Sequence, residues 1–182
     1  MDQRDGSRSR ADVIPITTAP SAPPAGSATG TLPAPTPTVP RPSRPVGHGR
    51  VGVVLVSHSH EVADAVRALA LAVAESGDPA PVVATGGSLA DGLGTSAVLV
   101  ATAARRVDQG HGVVVLCDLN GAVDTVLALL GEADEHLLPF PVRFADAPFV
   151  EGAVAAVATA TAGGDLAAVL DAAEEAGRRP KR

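Results

Sequence analysis

The 182-residue chain contains three Phe as its only aromatic residues, one cysteine, and a formal net charge of −6 at pH 7. The single Cys117 excludes an intramolecular disulfide and a zinc site built from several thiolates, and no apolar stretch is long enough to span a membrane. We therefore expect a cytoplasmic protein with one domain of ordinary size and no membrane interaction.

The N-terminal segment, residues 1–49, has a composition that does not favour a folded core. Ten of the sixteen prolines lie between Pro15 and Pro45, among Ala, Ser, Thr and Gly. Such a segment buries too little apolar surface to offset the loss of chain entropy, so we predict a disordered, partly polyproline-II tail. It lacks the continuous apolar region of a secretory signal. A mis-assigned start and a tether to a partner both stay open.

The distribution of charge sets the remainder of the chain apart from this tail. Residues 1–50 carry six Lys or Arg and three Asp or Glu, whereas residues 51–182 carry eight and seventeen, a net charge of −9. Such an acidic domain cannot neutralise nucleic-acid phosphates, and three Phe offer little base stacking, so no nucleic-acid partner is expected. We predict a domain at residues 50–178 and a short basic C-terminal end at residues 179–182.

Within this domain, runs of β-branched residues alternate with helical patterns. Strands are predicted at residues 52–56, 81–84, 112–116 and 141–144. Helices are predicted at residues 61–75, 95–108, 122–130 and 149–162, followed by a last helix that Asp165 caps and that ends at Ala176. This alternation predicts an α/β fold: a small, doubly wound, mainly parallel four-stranded sheet with helices on both faces.

Polar or glycine-rich segments follow all four predicted strands. These segments are 57–59, 86–94, 118–120 and 146–148. Because the carboxyl ends of parallel strands meet at one edge of the sheet, we expect the four segments to lie close together. Each leads into a helix N-terminus, where free N–H groups and the helix dipole favour an anion. His58 at this edge can act as a nucleophile, a proton carrier or a metal ligand, and phosphate chemistry fits the mixture well.

The same strand ends carry a resemblance to a known family. Its motifs are Val56-Ser57-His58-Ser59, Gly94-Thr95-Ser96, Cys117-Asp118-Leu119 and the run from Ala147 through Pro148-Phe149-Val150-Glu151-Gly152 to Ala153. In their order and spacing they resemble the mannose-type enzyme IIA domains, in particular the phosphotransferase subunits of phosphoenolpyruvate-dependent dihydroxyacetone kinases. The resemblance covers residues 52–176 and does not include the tail.

The resemblance implies a phosphotransferase that works through a phosphohistidine. The carrier protein HPr would phosphorylate His58, which would pass the group to ADP on a nucleotide-binding subunit that serves a dihydroxyacetone-binding subunit. Asp118 matches the acid that orients the imidazole. The residues expected around the phosphoryl group are Ser57, Ser59, Gly94, Thr95 and Ser96. No cofactor is expected in this subunit, because ADP or ATP and Mg²⁺ belong to the partner subunit. Members of the family are typically homodimers.

One departure from the family pattern and two alternative functions remain. The family usually reads Asp-Leu-Gly-Ser-Ala after the third strand, whereas this chain has Asn120-Gly121 in place of Gly-Ser and so lacks a hydroxyl. His58 and His60 could instead be metal ligands of a tetrapyrrole chelatase-like domain, although His60 is expected to face solvent in the first helical turn. A non-catalytic regulatory module that binds a partner is the other alternative.

Overall fold

The computed structural model describes residues 49–88 and 92–178. The predicted disordered tail, up to residue 48, and the basic C-terminal end lie outside the described residues. The strands are β1 (Gly52–Ser57), β2 (Val82–Gly86), β3 (Val113–Cys117) and β4 (Val142–Phe144). The helices are α1 (His60–Ala74), α2 (Ala97–Val107), α3 (Asn120–Gly131), α4 (Phe149–Thr161) and α5 (Leu166–Glu175), followed by a 3₁₀ turn (Ala176–Arg178).

The four strands form one parallel sheet in the order β2-β1-β3-β4. This arrangement confirms the predicted fold class. The chain moves from β1 to β2 on one side and later returns to β3 on the other side of β1. The strand order therefore reverses between β1 and β3, and the loops after these strands diverge there. In open α/β sheets, ligands bind at such a switch point.

Helices cover both faces of the sheet. Val53 and Leu55 of β1 pack in the cluster that includes α1, α4 and α5. Val54 and Val56 pack in the cluster that includes α2 and α3. Because β1 and β3 are buried on both faces, their sequences are continuous apolar runs instead of alternating ones. Each buried Val or Leu side chain contributes roughly 1.5–3 kcal/mol to folding.

Most element boundaries differ from the sequence prediction by one or two residues, and two of these differences bear on the site. Helix α2 begins at Ala97 instead of residue 95, because Ser96 is extended, with φ −108° and ψ 119°, and Gly94 has φ +146°. Strand β2 continues beyond residue 84 to Gly86, which pairs with Ser57. The sheet therefore extends up to the residue that precedes His58.

Candidate functional site

His58 follows β1 directly, and its position is set by main-chain contacts on both sides. Ser59 is the N-cap of α1, with extended φ −112° and ψ 129°. The N–H of Gly94 donates to the carbonyl oxygen of His58 at 3.0 Å, which links the glycine-rich loop to the histidine. The side chain of His58 keeps 29% of its surface exposed. The main chain that carries the imidazole is therefore held in place, while the ring is partly exposed to solvent.

Asp118 follows β3, the strand next to β1, and its carboxylate contacts His58 twice. The carboxylate oxygen Oδ1 lies 3.1 Å from His58 Nδ1. The other oxygen, Oδ2, accepts a hydrogen bond from the main-chain N–H of His58 at 2.9 Å. Two further donors complete the set: the N–H of Leu119 to Oδ1 at 2.7 Å and the hydroxyl of Ser57 to Oδ2 at 2.7 Å. All four hydrogen-bonding directions of the carboxylate are used.

This arrangement fixes the tautomer of His58. Partial burial raises the pKa of Asp118, but the hydrogen bonds from Ser57, His58 and Leu119 outweigh it and hold that pKa below its usual value. An ionised carboxylate can only accept hydrogen bonds. His58 Nδ1 must therefore carry a proton, and in the neutral imidazole this leaves the lone pair on Nε2.

The first turn of α3 lies beside His58 Nε2. A Cβ atom placed on Gly121 would be 3.0 Å from Nε2 and 3.4 Å from Cε1 of His58. The N-cap residue of α3, Leu119, makes no side-chain cap. The N–H groups of Asn120 and Gly121 come before the first hydrogen bond of the helix, so they are suited to an anion next to Nε2.

The hydroxyl protons of the two predicted phosphoryl contacts next to His58 are engaged within the protein. Ser57 is fully buried; its hydroxyl donates to Asp118 and accepts the N–H of Ser59 at 3.1 Å. The hydroxyl of Ser59 donates to Glu61 at 2.5 Å and caps the N–H of Val62 at 3.4 Å. A contact of either hydroxyl proton with a phosphoryl group would require these hydrogen bonds to break.

The predicted loop contacts offer a different set of groups. The N–H of Gly94 is bound to His58, as described above. Thr95 Oγ1 is buried, and no hydrogen-bond partner for it lies within residues 49–88 or 92–178. Ser96 precedes α2 and makes no side-chain cap to its first N–H groups. The Thr95 hydroxyl and the start of α2 are thus suited to oxygen atoms of a ligand; their role in phosphoryl binding stays a prediction.

The other described candidate residues take no part in the hydrogen bonds between His58 and Asp118. His60 begins α1, is largely exposed, and places Nε2 3.2 Å from the carboxylate of Asp64. Asp146 is exposed after β4, and Asp91 lies outside the described residues. Burial and then the charge of Asp118 raise the pKa of Cys117 to about 12, so this thiol stays protonated. In the part of the chain that the structure describes, no group of three or more His, Cys, Asp or Glu side chains could hold a metal ion.

Two glycines shape the site in a way that the sequence did not reveal. A Cβ on Gly86 would collide with the carbonyl oxygen of Ser57 and lie 3.1 Å from the main-chain nitrogen of His60. Gly121, as described above, leaves space beside Nε2. The signal in the sequence was a glycine at a strand end and another after Asn120, but which atoms they would approach depends on the packing of separate strands.

The structure places a histidine–aspartate pair at the switch point of a four-stranded parallel sheet. The class of the protein is therefore an α/β domain whose partly exposed imidazole is polarised by a carboxylate. Residues 52–170 match the family described as PTS system fructose IIA component, and the chain belongs to this family. The resemblance inferred from the strand-end motifs is thereby confirmed. Among the described residues, none of the helices combines the length and apolar character needed to cross a membrane.

Three curated relatives are phosphoryl donor subunits, named DhaM, of PEP-dependent dihydroxyacetone kinases. The Providencia stuartii protein is 30% identical over 127 residues, which are 69% of this chain and 26% of that protein. The Pantoea ananatis protein is 33% identical over 130 residues, 69% of this chain and 27% of that protein. This chain thus spans about a quarter of the length of these two. The subunit of kinase 2 from Listeria innocua is 28% identical over 106 residues, 58% of this chain and 82% of that protein.

The fold also matches a solved structure. A crystal structure of a protein of unknown function aligns with a TM-score of 0.59 and 24% sequence identity. The alignment covers 73% of this chain and 99% of that one. The likeness supports the architecture of the domain.

Proposed function

We propose that this domain is a phosphoryl carrier of the PEP-dependent phosphotransferase system. His58 takes a phosphoryl group from HPr and passes it to ADP bound to the nucleotide-binding subunit of a dihydroxyacetone kinase. The observation that carries this proposal is the 3.1 Å contact between His58 Nδ1 and the Asp118 carboxylate, which leaves Nε2 as the nucleophile. The phosphoryl donor subunits among the relatives support the same role.

The chemistry follows from the polarised imidazole. The lone pair of His58 Nε2 forms a bond to phosphorus while the donor's N–P bond breaks and its electron pair returns to the donor nitrogen. The Nδ1 proton stays on His58, and the Asp118 carboxylate stabilises the positive charge that develops on the ring. In the second step a terminal phosphate oxygen of ADP attacks phosphorus, and the electron pair of the N–P bond returns to Nε2.

The start of α3 beside Nε2 and the loop hydrogen bonded to the main chain of His58 suit the negative charge of the transferred phosphoryl group. Its oxygens would accept hydrogen bonds from the Thr95 hydroxyl and from main-chain N–H groups at the start of α2 and α3. Because the nucleotide and Mg²⁺ belong to the partner subunit in this scheme, the domain itself needs only to bind and release the phosphoryl group.

The surroundings of His58 favour a protein as the reaction partner. Leu93 and Leu119 are exposed large apolar side chains, and each is adjacent in sequence to a residue that hydrogen bonds to His58. Exposed apolar side chains close in sequence to a reactive residue favour a partner protein that covers them. This feature supports transfer from HPr rather than from a small free phosphate ester.

A reconstituted relay tests this function. The chain is incubated with labelled phosphoenolpyruvate, enzyme I and HPr, and acid-labile, base-stable phosphate is measured on it. We expect the label on the wild type and on His60→Ala, and none on His58→Ala. Equal labelling of the wild type and His58→Ala would refute the assignment to His58. Failure to label the wild type while HPr is labelled would refute the carrier function and favour the regulatory module.

The second half of the relay and the expected homodimer need separate measurements. Phosphorylated chain mixed with the nucleotide-binding subunit and ADP should produce ATP, and His58 should lose its label at the same rate.

The mass in sedimentation equilibrium should be about twice the 18.0 kDa of the chain. A monomer that transfers phosphate at full rate would show that the dimer is not needed for the reaction.

A further inference from the structure

Ser57 is an unusual residue in the core. Among residues 49–88 and 92–178, Ser57 and Thr85 are the two buried polar residues, and Ser57 has no exposed surface. A hydroxyl buried in an apolar core destabilises the fold unless it is hydrogen bonded. Ser57 is the last residue of β1 and stands directly before His58, so its hydrogen bonds bear on the site.

The hydroxyl of Ser57 both donates and accepts a hydrogen bond, and the backbone of Ser57 is held in the sheet. It donates to Asp118 Oδ2 at 2.7 Å and accepts the N–H of Ser59 at 3.1 Å. Ser57 pairs with Gly86 of β2, whose α-carbon has no space for a side chain beside the Ser57 carbonyl. The sheet therefore fixes the backbone that carries this hydroxyl, and the two hydrogen bonds hold the hydroxyl itself.

This hydroxyl orients the carboxylate of Asp118. With Oδ2 held by the Ser57 hydroxyl and the His58 N–H, the plane of the carboxylate is fixed and Oδ1 faces His58 Nδ1. Without the hydroxyl, Oδ2 keeps one protein donor and the carboxylate can turn toward water. The Nδ1–H tautomer, which depends on Oδ1, would then lose part of its advantage.

We infer that Ser57 is a positioning residue that acts through Asp118 to hold His58 in the Nδ1–H tautomer, and that it does not contact the phosphoryl group. The inference rests on the proposed function for its kinetic consequence, whereas the tautomer itself can be measured without any phosphoryl donor. Because Ser57 is buried behind the imidazole–carboxylate contact, its effect on Nε2 is indirect.

The first test is the tautomer of His58, read from the ¹⁵N chemical shifts of its ring nitrogens. We expect one dominant Nδ1–H form in the wild type and a mixture with the Nε2–H form in Ser57→Ala. Thr161→Val is the matched control, because the Thr161 hydroxyl also accepts a main-chain N–H, that of Ala80, at 3.1 Å and lies outside the site. It should keep the wild-type tautomer. An unchanged tautomer in Ser57→Ala would overturn the inference.

The second test is a double-mutant cycle on the rate of phosphorylation by HPr. Ser57→Ala should slow phosphorylation about 10-fold, as expected for the loss of one hydrogen bond to a charged group. In an Asp118→Ala background the same substitution should cause no further loss. Equal losses in both backgrounds would show that Ser57 does not act through Asp118.

Two outcomes need their own readout. If Ser57→Ala fails to fold, Ser57→Cys replaces it, because the thiol is a weaker donor of similar size. We expect Ser57→Cys to shift the tautomer of His58 and to slow phosphorylation, both by less than the amounts given for Ser57→Ala. A wild-type tautomer together with a wild-type rate would overturn the inference. If the wild type is not phosphorylated, the proposed function fails, and the ¹⁵N tautomer experiment alone decides the role of Ser57.

Discussion

Gly121→Ala tests whether the open space beside His58 Nε2 is needed for the reaction. The new Cβ would lie 3.0 Å from Nε2. Since non-bonded heavy atoms are most stable at about 3.5–4.0 Å, roughly 0.5 Å must be recovered by a shift of the imidazole or of α3. The substitution adds a single methyl group and carries no charge, so its effect reports on space alone.

The structure gives the size of this effect. If the imidazole moves by that amount away from α3, the 3.1 Å contact of Nδ1 with Asp118 lengthens to about 3.6 Å, which is too long for a hydrogen bond. A misplacement of 1 Å costs about 100-fold in rate, so a shift of about 0.5 Å should slow phosphorylation about 10-fold. Folding should not suffer, since Ala in a helix is about 0.5–1 kcal/mol more favourable than Gly.

Gly131→Ala is the matched control in the same helix. No atom lies within 4 Å of a Cβ built there, so it gains the helix preference without contacting His58. The assays are phosphorylation by HPr, carbethoxylation of His58 by diethyl pyrocarbonate, and thermal unfolding. Both rates should fall for Gly121→Ala and stay at the wild-type level for Gly131→Ala. Wild-type carbethoxylation of Gly121→Ala, with folding intact, would refute the steric reasoning.

Three further predictions concern stability and docking. Gly86→Ala should destabilise the domain by about 1–3 kcal/mol, because its Cβ collides with the carbonyl of Ser57; Gly77→Ala, which has open space, is the control in urea unfolding. Because the pKa of Asp118 is lowered in the folded protein, its ionised carboxylate stabilises the fold. This contribution is present above the usual pKa of about 3.9 and is lost as the pH falls through the lower pKa of the folded state. The difference in unfolding free energy between the wild type and Asp118→Asn should therefore shrink below about pH 4, and a constant difference would contradict this. Because Glu61 is acidic on the exposed first turn of α1, binding of HPr should weaken from about 50 to about 500 mM salt, measured by calorimetry; salt-independent affinity would contradict the expectation.

The sequence predicted those features that depend on local pattern. The continuous apolar runs at residues 52–56 and 112–116 indicated strands buried on both faces, and β1 and β3 lie there. The juxtaposition of His58 and Asp118 could be expected because both residues follow parallel strands. This general rule brings strand ends to one edge without specifying any distance.

The details that decide the chemistry depend on tertiary packing. The resemblance predicts Ser57 as a phosphoryl contact, and this role stays a prediction; the sequence did not reveal that the strand continues through Ser57 and that its hydroxyl donates to Asp118. The closeness of Gly121 to Nε2 arises from how α3 leaves β3 beside β1, which no local pattern records. Likewise, Thr95 read as the first residue of a helix, whereas the extended backbone at Ser96 delays the helix to Ala97.

Because β1 pairs with β3, the reactivity of His58 depends on the register between these two strands. Val56 of β1 pairs with Cys117 of β3. This register places Asp118, the residue after Cys117, next to His58, although the two residues are 60 positions apart in the sequence. A slip of one residue would displace the carboxylate by about 3.3 Å and leave the imidazole without its partner. A chain in which these two strands are out of register would therefore not accept a phosphoryl group. The labelled fraction of the protein would then measure the fraction of molecules in which β1 and β3 pair correctly.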